Sequence, residues 1–69
     1  MTNPKAELTK RELEVLKLIA SGLTDESISL QLNITVHTAN AHRKKLLAKL
    51  NCNNVAMLVA HAMRTGLIE

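Results

Sequence analysis

Hydrophobic residues recur at spacings of three, four or seven in four successive stretches of the chain, which is the repeat of an amphipathic helix. The residues expected to face a common core are Leu13, Leu16, Ile19 and Ala20, then Ile28 and Leu32, then Ala39, Leu46 and Leu50, and finally Val55, Leu58, Val59 and Ala62. Residues 1–7 contain Pro4 and no such repeat, so we expect a flexible arm there. The pattern predicts an all-α domain of four helices over residues 8–69.

The predicted helices begin and end at residues that favour those positions. The expected N-caps are Thr9, Thr24, Thr35 and one of Asn53 and Asn54. Gly22, Asn33 and Gly66 tolerate the left-handed backbone conformation that ends many helices. The connection over residues 33–35, between the second and third helices, is as short as the turn of a helix-turn-helix motif.

The positive charge of the chain is concentrated in the third predicted helix. The net charge is +3, and residues 31–50 hold four basic residues and no acidic one. At about 100° per residue, Asn40, Lys44 and Lys45 fall on the side of this helix opposite the inward-facing Ala39. An exposed cationic face of this kind suits a polyanion, and the alternative explanation is an ordinary solvated helix face.

The amino-acid composition favours double-stranded DNA over single-stranded DNA or RNA as the polyanion that the chain binds. The chain has no aromatic residue, so it lacks the rings on which single-strand and RNA-binding proteins stack bases. A helix about 10–12 Å across fits the major groove of B-DNA, which is about 12 Å wide. Two helices joined by a tight turn, with a polar basic face on the second, therefore predict binding to double-stranded DNA.

The remaining polar residues predict neither an enzyme nor a cofactor or metal protein. They offer no nucleophile beside a base and no Gly-rich loop for phosphates. His37 and His42 lie about 140° apart around a helix, so they do not share a face that could bind a metal ion. Cys52 has no other cysteine with which to form a disulfide, which fits a reducing cytoplasm. Charged residues are spread through residues 1–20, whereas a secretion signal needs an apolar run there. The apolar stretch over residues 55–63 is too short to span a membrane, so we expect a cytoplasmic protein without membrane contact.

Several motifs in this order are typical of one family. They are Leu8-Thr9-x-Arg11-Glu12-x-Glu14-Val15-Leu16, then Ile19-Ala20-x-Gly22-Leu23-Thr24, then Ile28, Leu32, Ile34, Thr38 and His42, then Lys49-Leu50 and Gly66-Leu67-Ile68. Over about residues 8–68 the chain resembles the LuxR-type helix-turn-helix domain, the C-terminal output domain of NarL/FixJ response regulators and quorum-sensing receptors. The run from Val36 to Leu50 is especially similar to the response-regulator branch.

The resemblance implies a four-helix domain whose third helix contacts bases in the major groove and whose fourth helix commonly forms a dimer contact. The residues at base-contacting positions are Asn40, Ala41 and Lys44, with His37 nearby. Those at positions that contact the DNA backbone are Thr24, Thr35, Thr38, Lys45 and Lys49. A second apolar strip on the fourth helix consists of Ala56, Ala60 and Met63. We expect it to be the contact of a homodimer, and the alternative explanation is local packing. RNA polymerase is a further partner that a transcription regulator of this class implies.

Some residues depart from the family pattern. Asp25 and Glu26 stand where the family usually has Asn and Lys, and we expect these acids to weaken contacts with the DNA backbone. Asn40 stands where many members have Lys, which leaves the target sequence open. A second hypothesis is therefore a protein-interaction module that pairs with a related regulator through the fourth helix and blocks it.

On the first helix, Glu12 lies on the apolar side, and we expect it to pair with a basic residue such as Arg43.

Overall fold

The computed structural model describes residues 8–68, so the predicted arm over residues 1–7 and the final residue, Glu69, lie outside the described residues. Four helices follow one another: α1 over Lys10–Ala20, α2 over Asp25–Leu32, α3 over Val36–Lys49 and α4 over Val55–Arg64. No strand occurs within residues 8–68. The predicted all-α fold of four helices is confirmed.

The helix N-termini are closed by side chains, as the sequence predicts. Thr9 and Glu12 form a capping box, in which the Thr9 hydroxyl accepts from the backbone N–H of Glu12 and the Glu12 carboxylate accepts from that of Thr9. Thr24 and Thr35 cap α2 and α3 through their hydroxyl groups, which accept from the backbone N–H groups of Ser27 and Thr38. At the fourth helix, the Asn54 side chain accepts from the backbone N–H of Met57. The N-cap of α4 is therefore Asn54 and not Asn53.

The turn between α2 and α3 is tight because Asn33 adopts the left-handed conformation, with φ 56° and ψ 48°. The backbone N–H of Ile34 donates to the carbonyl of Ser29 at 3.0 Å, and Thr35 then caps α3. Since only three residues separate the two helices, α2 packs closely against α3. This arrangement fixes which side of α3 remains in solvent.

The core lies where α1 packs against the other three helices. The largest fully buried side chains are Val15, Leu16, Ile28, Leu46 and Leu58. Most inward positions expected from helical spacing are confirmed, but Val15, Leu67 and Ile68 were not among them. Leu67 and Ile68 enter the core because the chain turns back after α4, where both backbone N–H groups donate to the Ala62 carbonyl. None of the helices within residues 8–68 combines the length and apolarity needed to cross a membrane.

Candidate nucleic-acid interface

The outer side of α3 is exposed and basic. Ala39 and Leu46 are fully buried on the inner side. On the outer side, His37, Ala41 and Lys44 are exposed, together with the neighbouring Lys45. We call the surface formed by His37, Asn40, Ala41 and Lys44 the α3 face. The structure thus brings together the residues that the sequence placed at base-contacting positions, on a surface that the rest of the fold leaves open.

Asn40 lies at the edge of the α3 face and is half-buried. Its side-chain Nδ2 donates to Oδ2 of Asp25, the first residue of α2, at 3.0 Å. Arg43, one turn further along α3, places Nη2 3.2 Å from the same carboxylate oxygen. The Asp25 side chain therefore links the start of α2 to two side chains of α3. This link could not be predicted from the sequence, because Asp25 and Asn40 lie 15 residues apart and on different helices.

The predicted backbone-contacting threonines belong to the helix caps. The Thr35 hydroxyl accepts from the backbone N–H of Thr38 at 3.1 Å and donates to the Thr38 hydroxyl at 2.9 Å. Thr24 caps α2 through the backbone N–H of Ser27. The two helix starts differ in charge, because the first turn of α2 holds two acids and the first turn of α3 holds none. A helix N-terminus carries partial positive charge, so the start of α3 is the more favourable of the two for a phosphate.

Lys49, predicted to contact the DNA backbone, lies at the C-terminal end of α3 and is paired within the domain. Its Nζ is 2.7 Å from Oε1 of Glu12. The expectation that Glu12 pairs with Arg43 was therefore wrong, although the partner is a basic residue. Arg43 lies six residues before Lys49, roughly 9 Å along the helix axis, where α2 rather than the start of α1 is its neighbour.

Glu12 is a buried carboxylate whose charge is compensated. Burial by itself raises the pKa of Glu12, but the hydrogen bonds from Lys49 and from the Thr9 backbone outweigh it, so the pKa lies below its ordinary value of 4.5. The side chain is only 5% exposed. Glu12 is thus an ionised structural group that fixes the end of α3 against the start of α1.

The outer side of α4 is apolar, as predicted. Ala56 and Met63 are exposed and Ala60 is half-buried, whereas Leu58 and Ala62 face the core. Met57, which sequence analysis did not include, is also exposed. At about 100° per residue, Met57 lies about 60° from Ala60 and about 100° from the buried Leu58, so helical spacing could have placed it on the outer side. Within residues 8–68, no group of three His, Cys, Asp or Glu side chains is placed to hold a metal ion.

The tight turn after α2 and the exposed basic side of α3 define the class of protein, a helix-turn-helix domain of the kind that binds DNA. The sequence model of the family described as "Bacterial regulatory proteins, luxR family" matches residues 6–62. This chain belongs to the LuxR family of bacterial regulatory proteins, and its domain is a DNA-binding domain of transcription regulators.

Its relatives include the oxygen regulatory protein NreC of Staphylococcus epidermidis and that of Staphylococcus aureus. Each is 38% identical to this chain over 68 residues, which is 99% of the chain. The chain spans 31% of the length of these relatives. The relatives support the predicted similarity to the output domain of response regulators.

Proposed function

We propose that this domain binds specific sites on double-stranded DNA by placing α3 in the major groove. The observation that carries the proposal is the exposure of His37, Ala41 and Lys44 on one side of α3, with Ala39 and Leu46 fully buried on the other. A helix that presents short and cationic side chains on its solvent side has the size and charge to enter the groove.

The chemistry of the α3 face suits base recognition. The Lys44 ammonium can donate to O6 and N7 of guanine, and the Asn40 amide can both accept from and donate to adenine. Ala41 follows Asn40 on the exposed side of α3, and its small side chain allows the helix backbone to approach the bases and contact a thymine methyl group. His37, in the first turn of α3, lies at the N-terminal end of this face.

The backbone contacts that we propose are unequal in strength. Lys45 and Thr35 are favoured, because Lys45 is exposed beside the α3 face and Thr35 caps a helix start that has no acid. We expect Thr24 to contribute less, since Asp25 and its neighbour follow it in the first turn of α2. Lys49 is expected to contribute less as well, because its ammonium is held by Glu12. Thr38, bonded to the Thr35 hydroxyl, is expected to act together with Thr35.

The proposed base and backbone contacts can be tested in two steps. Bound sites are selected from a random duplex pool, and binding is then titrated at several salt concentrations. Lys45→Ala should weaken binding to all sequences alike and lower the salt dependence by about one phosphate contact. Lys44→Ala or Asn40→Ala should instead relax the preference at one base pair by about tenfold. Lys17→Ala, a matched removal of an exposed lysine from α1, should change neither property.

Two outcomes would contradict the proposal. One is a Lys17→Ala effect equal to that of Lys45→Ala, which would mean that only overall charge matters. The other is an unchanged base preference in both the Lys44 and the Asn40 variants, which would mean that another surface contacts the bases.

The second candidate function is an interaction module that pairs with a related regulator and blocks it. The observation in its favour is the pair of acids at the start of α2, beside the predicted DNA-contacting side. A blocking module need not bind DNA. Failure of the wild-type domain to retard any duplex at low salt would favour this function over the first.

We propose that the domain forms a homodimer through α4. Met63 is 57% exposed and Met57 is 45% exposed, and with Ala56 and Ala60 they make an apolar surface on a helix whose other side faces the core. A two-fold pairing would place two α3 helices on half-sites about one helical turn apart.

Sedimentation equilibrium of Met63→Glu tests this dimer, and we expect a shift to monomer. Leu30→Glu is the matched control, since Leu30 is an exposed apolar residue of α2, 84% exposed, away from α4. A wild-type domain that is monomeric on DNA and in solution, or a Leu30→Glu variant that dissociates equally, would contradict the proposed interface.

A further inference from the structure

We propose that Asp25 determines the base preference of Asn40 by holding the Asn40 side-chain amide in a single orientation. The inference rests on the proposed function, because it concerns a residue of the α3 face. Asp25 would then act as a positioning residue that contributes to specificity without touching a base itself.

The hydrogen bond fixes which end of the Asn40 amide faces Asp25. A carboxylate can only accept hydrogen bonds, so the amide nitrogen of Asn40 must lie towards Asp25. The Nδ2–Oδ2 distance of 3.0 Å is that of a well-formed bond. The amide oxygen of Asn40 is therefore directed away from Asp25.

The Asp25 carboxylate is itself held in place. Its Oδ2 atom also lies 3.2 Å from Nη2 of Arg43. The Asp25 side chain is 19% exposed and belongs to the first turn of α2, where Thr24 caps the helix. Because Asp25 is fixed by Arg43 and by its own helix, it cannot easily follow a rotation of the Asn40 amide.

This orientation restricts what Asn40 offers to DNA. One of its two amide N–H groups is used by Asp25, which leaves one N–H donor and the Oδ1 acceptor. Adenine presents the complementary pair in the major groove, with N7 as acceptor and the N6 amino group as donor. Guanine presents two acceptors, N7 and O6, so a fixed Oδ1 would face O6 of guanine unfavourably. An unrestrained asparagine could turn its amino group towards guanine, whereas the restrained one favours adenine.

The negative charge of Asp25 gives the proposal a distinctive signature. A carboxylate beside the α3 face repels DNA phosphates, so it lowers affinity for every duplex while it raises selectivity at one base pair. Removal of the charge should therefore raise general affinity and lower the adenine preference. A residue that only stabilised the fold would lower both.

The test compares Asp25→Asn with Glu26→Gln in the selection from a random duplex pool. Asp25→Asn preserves size and shape, but the new amide can donate as well as accept, so Asn40 is free to turn. We expect the preference for adenine over guanine at the base pair identified by Asn40→Ala to fall by about five- to tenfold. Affinity for a random duplex should rise by about two- to threefold at low salt.

Glu26→Gln makes the same chemical change at the exposed neighbour on α2. It should raise general affinity to a similar extent and leave the adenine preference unchanged. The base pair identified by Lys44→Ala is an internal control, since its preference should be the same in both variants. Far-ultraviolet circular dichroism and thermal melting confirm that each variant is folded.

The inference is overturned if Asp25→Asn retains the wild-type preference, or if Glu26→Gln reduces it equally. Both results leave the proposed function intact, because the wild-type domain would still select a site. Absence of any selection by the wild-type domain would be a failure of the proposed function itself, and the two failures are thus separable.

Discussion

Two carboxylates hold helix α3, one at its C-terminal end and one near its middle, and they do so in different surroundings. Glu12 of α1 binds Lys49 at 2.7 Å near the C-terminal end. Asp25 of α2 binds Asn40 and Arg43 nearer the N-terminal end, at 3.0 and 3.2 Å. Glu12 is 5% exposed at its side chain and Asp25 is 19% exposed.

The difference shows that the partners and the burial of an acidic residue determine its role more than its charge does. Glu12 also accepts from the backbone of Thr9, so its loss opens a helix cap as well as an ion pair. The partners of Asp25 lie on or beside the α3 face. We therefore expect Glu12 to matter for stability and Asp25 for the choice of DNA sequence.

The largest expected effect is that of Glu12→Ala on stability. The variant loses the capping-box bond and the buried half of an ion pair, so the free energy of unfolding should fall by about 2–3 kcal/mol. Asp25→Ala is the comparison, and it should lower that free energy by about 1 kcal/mol or less, because its ion pair is nearer to solvent. Urea denaturation followed by circular dichroism measures both.

Equal losses in the two variants would contradict the comparison. Glu12→Gln divides the larger effect further, since glutamine keeps the bond to the Thr9 backbone but carries no charge for Lys49. Its stability should lie between those of the wild type and Glu12→Ala.

A smaller effect is expected from acid. The pKa of Glu12 is lowered in the folded domain, so its stabilising contribution is complete above the ordinary value of 4.5 and is lost as the pH falls through the folded value. Glu12→Gln lacks this titration. The difference in unfolding free energy between wild type and Glu12→Gln should therefore narrow as the pH is lowered from 7 to 3 in a series of urea titrations. A constant difference over that range would mean that Glu12 does not contribute through its charge.

Local signals predicted much of the fold. The capping box of Thr9 and Glu12, the threonine caps of α2 and α3, and the left-handed Asn33 all involve groups within about four residues of each other. Helical spacing likewise separated the buried Ala39 from the exposed Lys44. These features follow from backbone geometry and hydrogen bonding along a short segment, which a sequence displays directly.

The partners of the charged residues could not be predicted in this way. Glu12 meets Lys49 across 37 residues and Asp25 meets Asn40 across 15, and each pair depends on the angle and height at which two helices pack. The burial of Leu67 likewise depends on the chain turning back after α4.

The sequence by itself thus determined the helices, the caps of the first three, the family and the side of α3 that carries the positive charge. Only the tertiary structure decided which acid faces which base, because a side chain several ångströms long finds its partner only after the helices that carry it are fixed in position. The partners of Asp25, and with them the proposed control of Asn40, belong to this second group.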